Sequence, residues 1–361
     1  MSSLSVFAGK KVFVTGHTGF KGSWLSIWLS KLEAEVYGYS LPPPTSPNNY
    51  SESGVAGLLE GETIGDIRNA DILEESIRSA DPDVIFHLAA QPIVRYSYDN
   101  PAETFEANVM GSVYLLDAVR KIGRPVSVIM VTSDKCYENT GQIWGYREND
   151  MMGGHDPYSA SKGAAEIAIS SYRRSFFAPS ELDRHGIGIA SVRAGNVIGG
   201  GDWAEDRIIP DAVRALKEGK PLQLRNPGAV RPWQHVLESL SGYLTLAGKM
   251  MATNDPSLCS AWNFGPYTHD ACTVAELVEK FYSGWGEGSV IDSGAYDGKQ
   301  EARFLKLSIE KAIYQLRWHP GWSLDDAIRK TAYWYRNYKP LDHENNLNLC
   351  HEDIDSFMKN L

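Results

Sequence analysis

The 361-residue sequence holds only four cysteines, Cys136, Cys259, Cys272 and Cys350, and no two of them form a CxxC pair. That leaves no disulfide framework and no cysteine zinc site, and it reads as the reduced structural thiols of a cytoplasmic protein. The nine histidines show no HExxH or other ligand spacing, so no metal is expected. No apolar run approaches the length of a membrane span, and the opening MSSLSVFAGKK lacks the apolar stretch of a secretory signal. Positive charge is not in excess either: 35 basic against 45 acidic residues give a net −10. This argues against nucleic acid or an anionic membrane as partner, while leaving room for an anionic small molecule gripped by a few arginines.

What is present points to a soluble α/β protein. Hydrophobic content of 43% with 22% charged residues is ordinary for a globular chain. Short β-branched runs alternate with helical spacing: KKVFVTG, then SWLSIWLSKLEA, EVYGYS, DVIFHLAA, PAETFEANVMGSVYLLDAVRKIG, PVSVIMVTSD, SASKGAAEIAISSYRRSFF and GIGIASVRAGNVIG. Such alternation predicts a Rossmann-type, doubly wound parallel sheet with helices on both faces. After Ile198 glycine and proline become frequent, predicting a smaller mixed α/β lobe. We expect residues 1–192 to form a dinucleotide-binding domain, with 234–262 returning to it. Segments 193–233 and 263–361 then form the substrate lobe. LPPPTSPNNY is expected as a surface loop at the mouth of the site.

Two motifs carry chemistry. Gly16, Gly19 and Gly22 in GHTGFKG follow a strand and precede a helix. There the glycines permit a tight turn, close approach of backbone to a pyrophosphate, and close helix–strand packing, while helix N–H groups face the anion. The second strand ends at Ser40, where an acid would select NAD, so NAD and NADP both stay open. In YSASK, Tyr158 and Lys162 lie four residues apart, on one helical face. A free tyrosine has a pKa near ~10, and a neighbouring ammonium favours its phenolate, so the pair can act as acid and base.

GHTGFKG, HLAAQ, Asn108 in ANVMGS, YSASK and RAGNVIGGGD together resemble the extended short-chain dehydrogenase/reductases that act on nucleotide sugars. The resemblance implies bound NAD, contacted by Gly16, Thr18, Gly19, Phe20, Gly22, Ser40, Asp66, Ile67, Leu88, Ala89, Ala90, Gln91, Asn108, Tyr158, Lys162 and Arg193. Ser133-Asp134-Lys135 replaces the threonine–aspartate–glutamate triplet of nucleotide-sugar 4,6-dehydratases, and with RNPGAVRPWQHV it resembles a dehydratase of that group. Such enzymes oxidise C4 of the sugar, expel water across C5 and C6, and return hydride to C6, in deoxysugar biosynthesis for surface polysaccharides such as lipopolysaccharide. By that resemblance Ser133 holds O4, Asp134 is the acid at O6, and Lys135 either removes the C5 proton or stabilises the enolate. A 4-epimerase and a non-catalytic dinucleotide sensor are the alternatives.

A nucleotide sugar presents a diphosphate, which the planar fork of arginine matches well. Arg207, Arg225, Arg231 and Arg303 lie in the second lobe, and Asn196 ends RAGN at a position that contacts the substrate in the family. His87 is expected as a packed strand histidine. The two long helices carry apolar residues on more than one face, and the resemblance implies a homodimer or homotetramer built on them.

Overall fold

A computed structural model describes residues 4–267, 270–292 and 305–361. The chain opens with β1 (Lys11–Thr15), α1 (Phe20–Lys31), β2 (Glu35–Ser40), the single turn α2 (Asn49–Glu52) and β3 (Gly61–Ile64). Next come α3 (Ala70–Ala80), β4 (Val84–His87), α4 (Val94–Asp99) and α5 (Pro101–Phe105). A π-turn at Glu106–Met110 leads into α6 (Gly111–Ile122). The alternation ends with β5 (Val126–Val131), α7 (Pro157–Ser175), α8 (Leu182–His185) and β6 (Ile187–Ala194).

Beyond it lie β7 (Val197–Ile198), α9 (Ile208–Lys217), β8 (Leu222–Leu224), β9 (Val230–Arg231) and β10 (Gln234–His235). The chain then forms α10 (Val236–Ala252), β11 (Ala261–Phe264), β12 (Cys272–Thr273), α11 (Val274–Trp285) and β13 (Val290–Asp292). It closes with α12 (Leu324–Asn337) and α13 (His343–Met358).

Seven strands form one sheet in the order β11-β6-β5-β4-β1-β2-β3, and every pairing in it is parallel. This is the doubly wound fold that the alternation predicts. The order reverses between β1 and β4, which opens a crevice beyond their carboxyl ends. Small two-stranded pairs, β7 with β10, β8 with β13 and β9 with β12, lie outside the large sheet.

Each face of the sheet is sealed by its own cluster. Leu73, Ile77, Leu115, Leu116, Val119 and Ile169 cover one face from α3, α6 and α7. Trp24, Trp28, Leu237, Leu240 and Tyr243 cover the other from α1 and α10. Helix α1 buries Trp24, Leu25, Ile27, Trp28 and Leu29 completely, because the sheet, α10 and α13 surround it. Each such large side chain contributes about 1.5–3 kcal/mol of burial. The helix boundaries follow local capping: Asp156 accepts from Ser159 N, with Pro157 at the first helical position of α7. Among the described residues, no helix is long and apolar enough to cross a membrane.

Candidate active site

The glycine loop sits at the reversal of strand order. Gly16 has φ +76°, and a Cβ there would lie 2.8 Å from Ala89 N. A Cβ on Gly22 would fall 2.0 Å from Gly16 O, so loop and helix pack backbone to backbone. Gly19 caps α1 with no side-chain hydrogen bond, which leaves the first-turn N–H groups turned to the crevice. Thr18 Oγ1 lies 2.8 Å from Ser40 Oγ and donates to Leu41 O at 2.9 Å, tying the loop to the end of β2. His17 packs its ring over Gly38 and meets Glu62 Oε2 at 2.9 Å through Nε2. The Tyr50 hydroxyl donates to the same carboxylate at 2.6 Å.

Asp66 folds its carboxylate onto Arg68, at 2.6 Å, and the Arg68 hydrogen bonds hold it below the usual carboxylate range. Ile67 is buried beneath Gly111. Asn108, in the π-turn, joins two motifs: its Oδ1 accepts from Gln91 N at 2.8 Å, and its Nδ2 donates to Gln91 O at 3.1 Å and Ser161 Oγ at 2.8 Å. The end of β4 is thereby fastened to the helix that carries Tyr158 and Lys162. His87 is buried, with Nδ1 2.8 Å from Thr15 Oγ1 and Nε2 3.3 Å from Ser112 Oγ, as a packed strand histidine should be.

Ser133, Asp134 and Lys135 follow β5 at its carboxyl end. Ser133 Oγ accepts from Lys135 N at 3.2 Å, capping the turn, and donates to Asp134 Oδ1 at 2.9 Å. Lys135 Nζ lies 3.6 Å from Asp134 Oδ1 and 3.5 Å from Asn196 Oδ1. Tyr158 faces this triplet from α7, near enough for Ser133, Asp134 and Lys135 all to act on its phenol. Its amide N–H donates to Ser97 Oγ at 3.2 Å. Burial pushes the Tyr158 phenol up, and the positive charge of Lys135 works against that rise. Burial brings Lys162 down to about 8.

Three side chains escaped the motif reading. Lys21, between the second and third glycines, is brought down to about 7 by burial and by the Arg207 charge, and its Nζ is 3.4 Å from the Tyr243 hydroxyl. A lysine in the first helical turn after the loop was the available signal. Glu166 and Tyr137 are the others, and they explain Arg193. The Arg193 guanidinium, expected at the cofactor, donates to Glu166 at 2.9 and 2.8 Å, to the Tyr137 hydroxyl at 2.6 Å and to Glu148 O at 2.9 Å. Burial works against the Glu166 charge, but Arg193 outweighs it and holds the acid below its ordinary value. A guanidinium that is 3% exposed needs such a partner, and Glu166 of α7 supplies it.

After β7, Arg207 pairs with Asp202 at 2.8 Å, and its charge bears on Tyr158. Arg231 is buried beside β12, Arg225 pairs with Asp206 at 2.7 Å, and Asn196 O accepts from Gln234 N. Arg303 lies outside the described residues.

Comparison with known proteins agrees with this geometry. CDP-glucose 4,6-dehydratase of Salmonella typhimurium is 49% identical over 339 residues, 93% of each chain. dTDP-glucose 4,6-dehydratase of Streptomyces antibioticus is 27% identical over 90% of this chain and 92% of its own. The crystal structure of a dTDP-glucose 4,6-dehydratase from Streptomyces venezuelae with NAD bound superposes with a TM-score of 0.74 at 24% identity, over 90% of this chain and 96% of that one. UDP-glucose 4-epimerase of Thermotoga maritima gives 0.73 at 23% identity, over 90% and 98%, so these two structures speak for the fold alone. The sequence profile of the GDP-mannose 4,6 dehydratase family matches residues 13–331, and the chain belongs to that family.

Proposed function

We propose that this chain removes water from CDP-D-glucose to give CDP-4-dehydro-6-deoxy-D-glucose, with tightly bound NAD. The observation that carries the reading is the convergence of four groups: Ser133 donates to Asp134 at 2.9 Å, Lys135 lies 3.6 Å from the same carboxylate, and all three act on the Tyr158 phenol. Cytosine as the base is supported by the 49% identical relative named for CDP-glucose. The crevice fits a dinucleotide, since a Cβ at Gly16 or Gly22 would collide with backbone where a pyrophosphate must approach. The Glu62 carboxylate, held by His17 and Tyr50 on the strand beside β2, disfavours the additional phosphate of NADP.

Tyr158 takes the proton from the sugar 4-hydroxyl, and the Lys162 ammonium stabilises the phenolate before that step. NAD, when bound, supplies the hydride acceptor at C4 and the hydride donor at C6. Ser133 holds O4 by hydrogen bonding. Once C4 is a ketone the C5 proton is acidic. A proton passed from Lys135 to Asp134 within their pair yields an amine base for C5 and a carboxylic acid for O6 together. The amine takes the C5 proton, the acid protonates the leaving hydroxyl, and the ion pair is restored as water departs. As hydride returns to C6, the Lys135 ammonium gives a proton back to C5 and is recharged from the Tyr158 phenol, so net redox is zero and the cofactor and the acid–base groups are all restored.

The test is a panel of nucleoside-diphosphate hexoses incubated with the purified protein. Loss of water from CDP-glucose, read by mass, supports the proposal; epimer interconversion without mass loss would replace it.

The assembly we propose is a homodimer through α6 and α7. Phe105, Met110, Ile167 and Phe176 are exposed apolar side chains on these helices and the segments flanking them. Ile167→Glu should then shift the sedimentation coefficient to that of a monomer.

A further inference from the structure

Asp206 lies just before α9, in left-handed backbone with φ +61°. One of its oxygens, Oδ1, accepts from Arg225 at 2.7 Å and lies 3.5 Å from Arg95 Nη1 on α4. Both flanks lead to the reacting groups. Ser97, two residues after Arg95, binds the Tyr158 amide, and Arg207, the next residue after Asp206, bears on the Tyr158 hydroxyl. The side chains of Arg95, Asp206 and Arg225 are 33%, 37% and 43% exposed, so a solute can reach them.

We propose that Asp206 is a built-in competitor for the substrate diphosphate. Without substrate its carboxylate occupies Arg95 and Arg225. The diphosphate displaces it and takes both guanidinium groups as ligands. One carboxylate oxygen shared between two forks is a poor match, whereas a diphosphate offers more charge and several acceptors. Release also frees a residue carrying a Cβ from left-handed backbone. Arg95 and Asp206 thereby join the groups that set affinity for the nucleotide sugar, and this rests on the reading in the preceding section.

Asp206→Asn tests it, because asparagine tolerates left-handed backbone and removes only the charge. In the full chain with NAD, KM for CDP-glucose should fall about two- to fivefold, the range for a part-exposed ion pair. Calorimetric affinity for CDP should rise by the same factor, and adding Arg95→Gln to the Asp206→Asn variant should reverse the gain. An unchanged or raised KM in Asp206→Asn would overturn the proposal. If CDP binds wild type and variant alike, the competitor role fails while the nucleotide-sugar reading stands. If CDP does not bind the wild type at all, that reading falls and takes this one with it.

Discussion

Lys162 holds its ammonium nitrogen 6.0 Å from the centroid of the Tyr158 ring, with both side chains buried. Burial lowers Lys162 to about 8, so its charge is present below that pH and lost above it. In the proposed mechanism the phenolate of Tyr158 depends on that charge. We expect kcat/KM to decline as pH rises past about 8, and Lys162→Met to remove this limb while lowering activity throughout. A profile that keeps climbing well above that pH would contradict the pairing. Tyr158→Phe should reduce turnover by about 10²–10⁴, the worth of a positioned acid/base.

Asp134→Asn should separate the two halves of the reaction. Oxidation at C4 needs Tyr158 and Lys162, and elimination needs a proton at O6. Reduced nicotinamide should therefore appear in the absorbance spectrum on adding substrate, while product lacking water does not form. Full turnover by this variant would remove Asp134 from the role of acid.

Glu166 is the sole carboxylate hydrogen-bonded to the Arg193 guanidinium among the described residues, and it also accepts from Thr132 at 2.5 Å and Ser191 at 2.8 Å. Glu166→Ala leaves a buried guanidinium uncompensated, which costs about 3–5 kcal/mol. Denaturant unfolding should show that loss. A change below ~1 kcal/mol would mean that the pair contributes little to stability.

Glu238 is buried, with its carboxylate accepting from Gly321 N at 2.9 Å and Trp322 N at 2.6 Å. Burial nevertheless raises it from 4.5 to about 7. Between these values the folded chain binds more protons than the unfolded one, so stability falls as pH rises through the window. Glu238→Gln should flatten that slope and leave the variant relatively more stable at the alkaline end, as judged by melting temperature against pH. An unaltered slope would show that Glu238 titrates alike in both states.

The fold was legible because its cues are local. Short strands, each followed by helical spacing, leave few topologies once crossovers are right-handed. The glycine loop was equally legible, since φ +76° at Gly16 and the crowding at Gly22 are demands of the backbone within a few residues. Asn108 was found by resemblance, but its work of joining Gln91 to Ser161 depends on segments 17 and 53 residues away. The partner of Arg193 was not legible, because a motif records its neighbours in the chain, not the carboxylate 27 residues earlier that it pairs with.

Periodicity, glycine spacing and the Tyr-x-x-x-Lys step thus define the α/β architecture and the kind of chemistry, since hydrogen bonding and sterics act over a turn or a strand. The assembled fold alone settles which charges meet. Lys21 reaches Tyr243 across 222 residues, and Asp206 draws together Arg95 of α4 and Arg225 from the segment after β8. Burial and Coulomb attraction depend on distance through space, and only packing sets that distance.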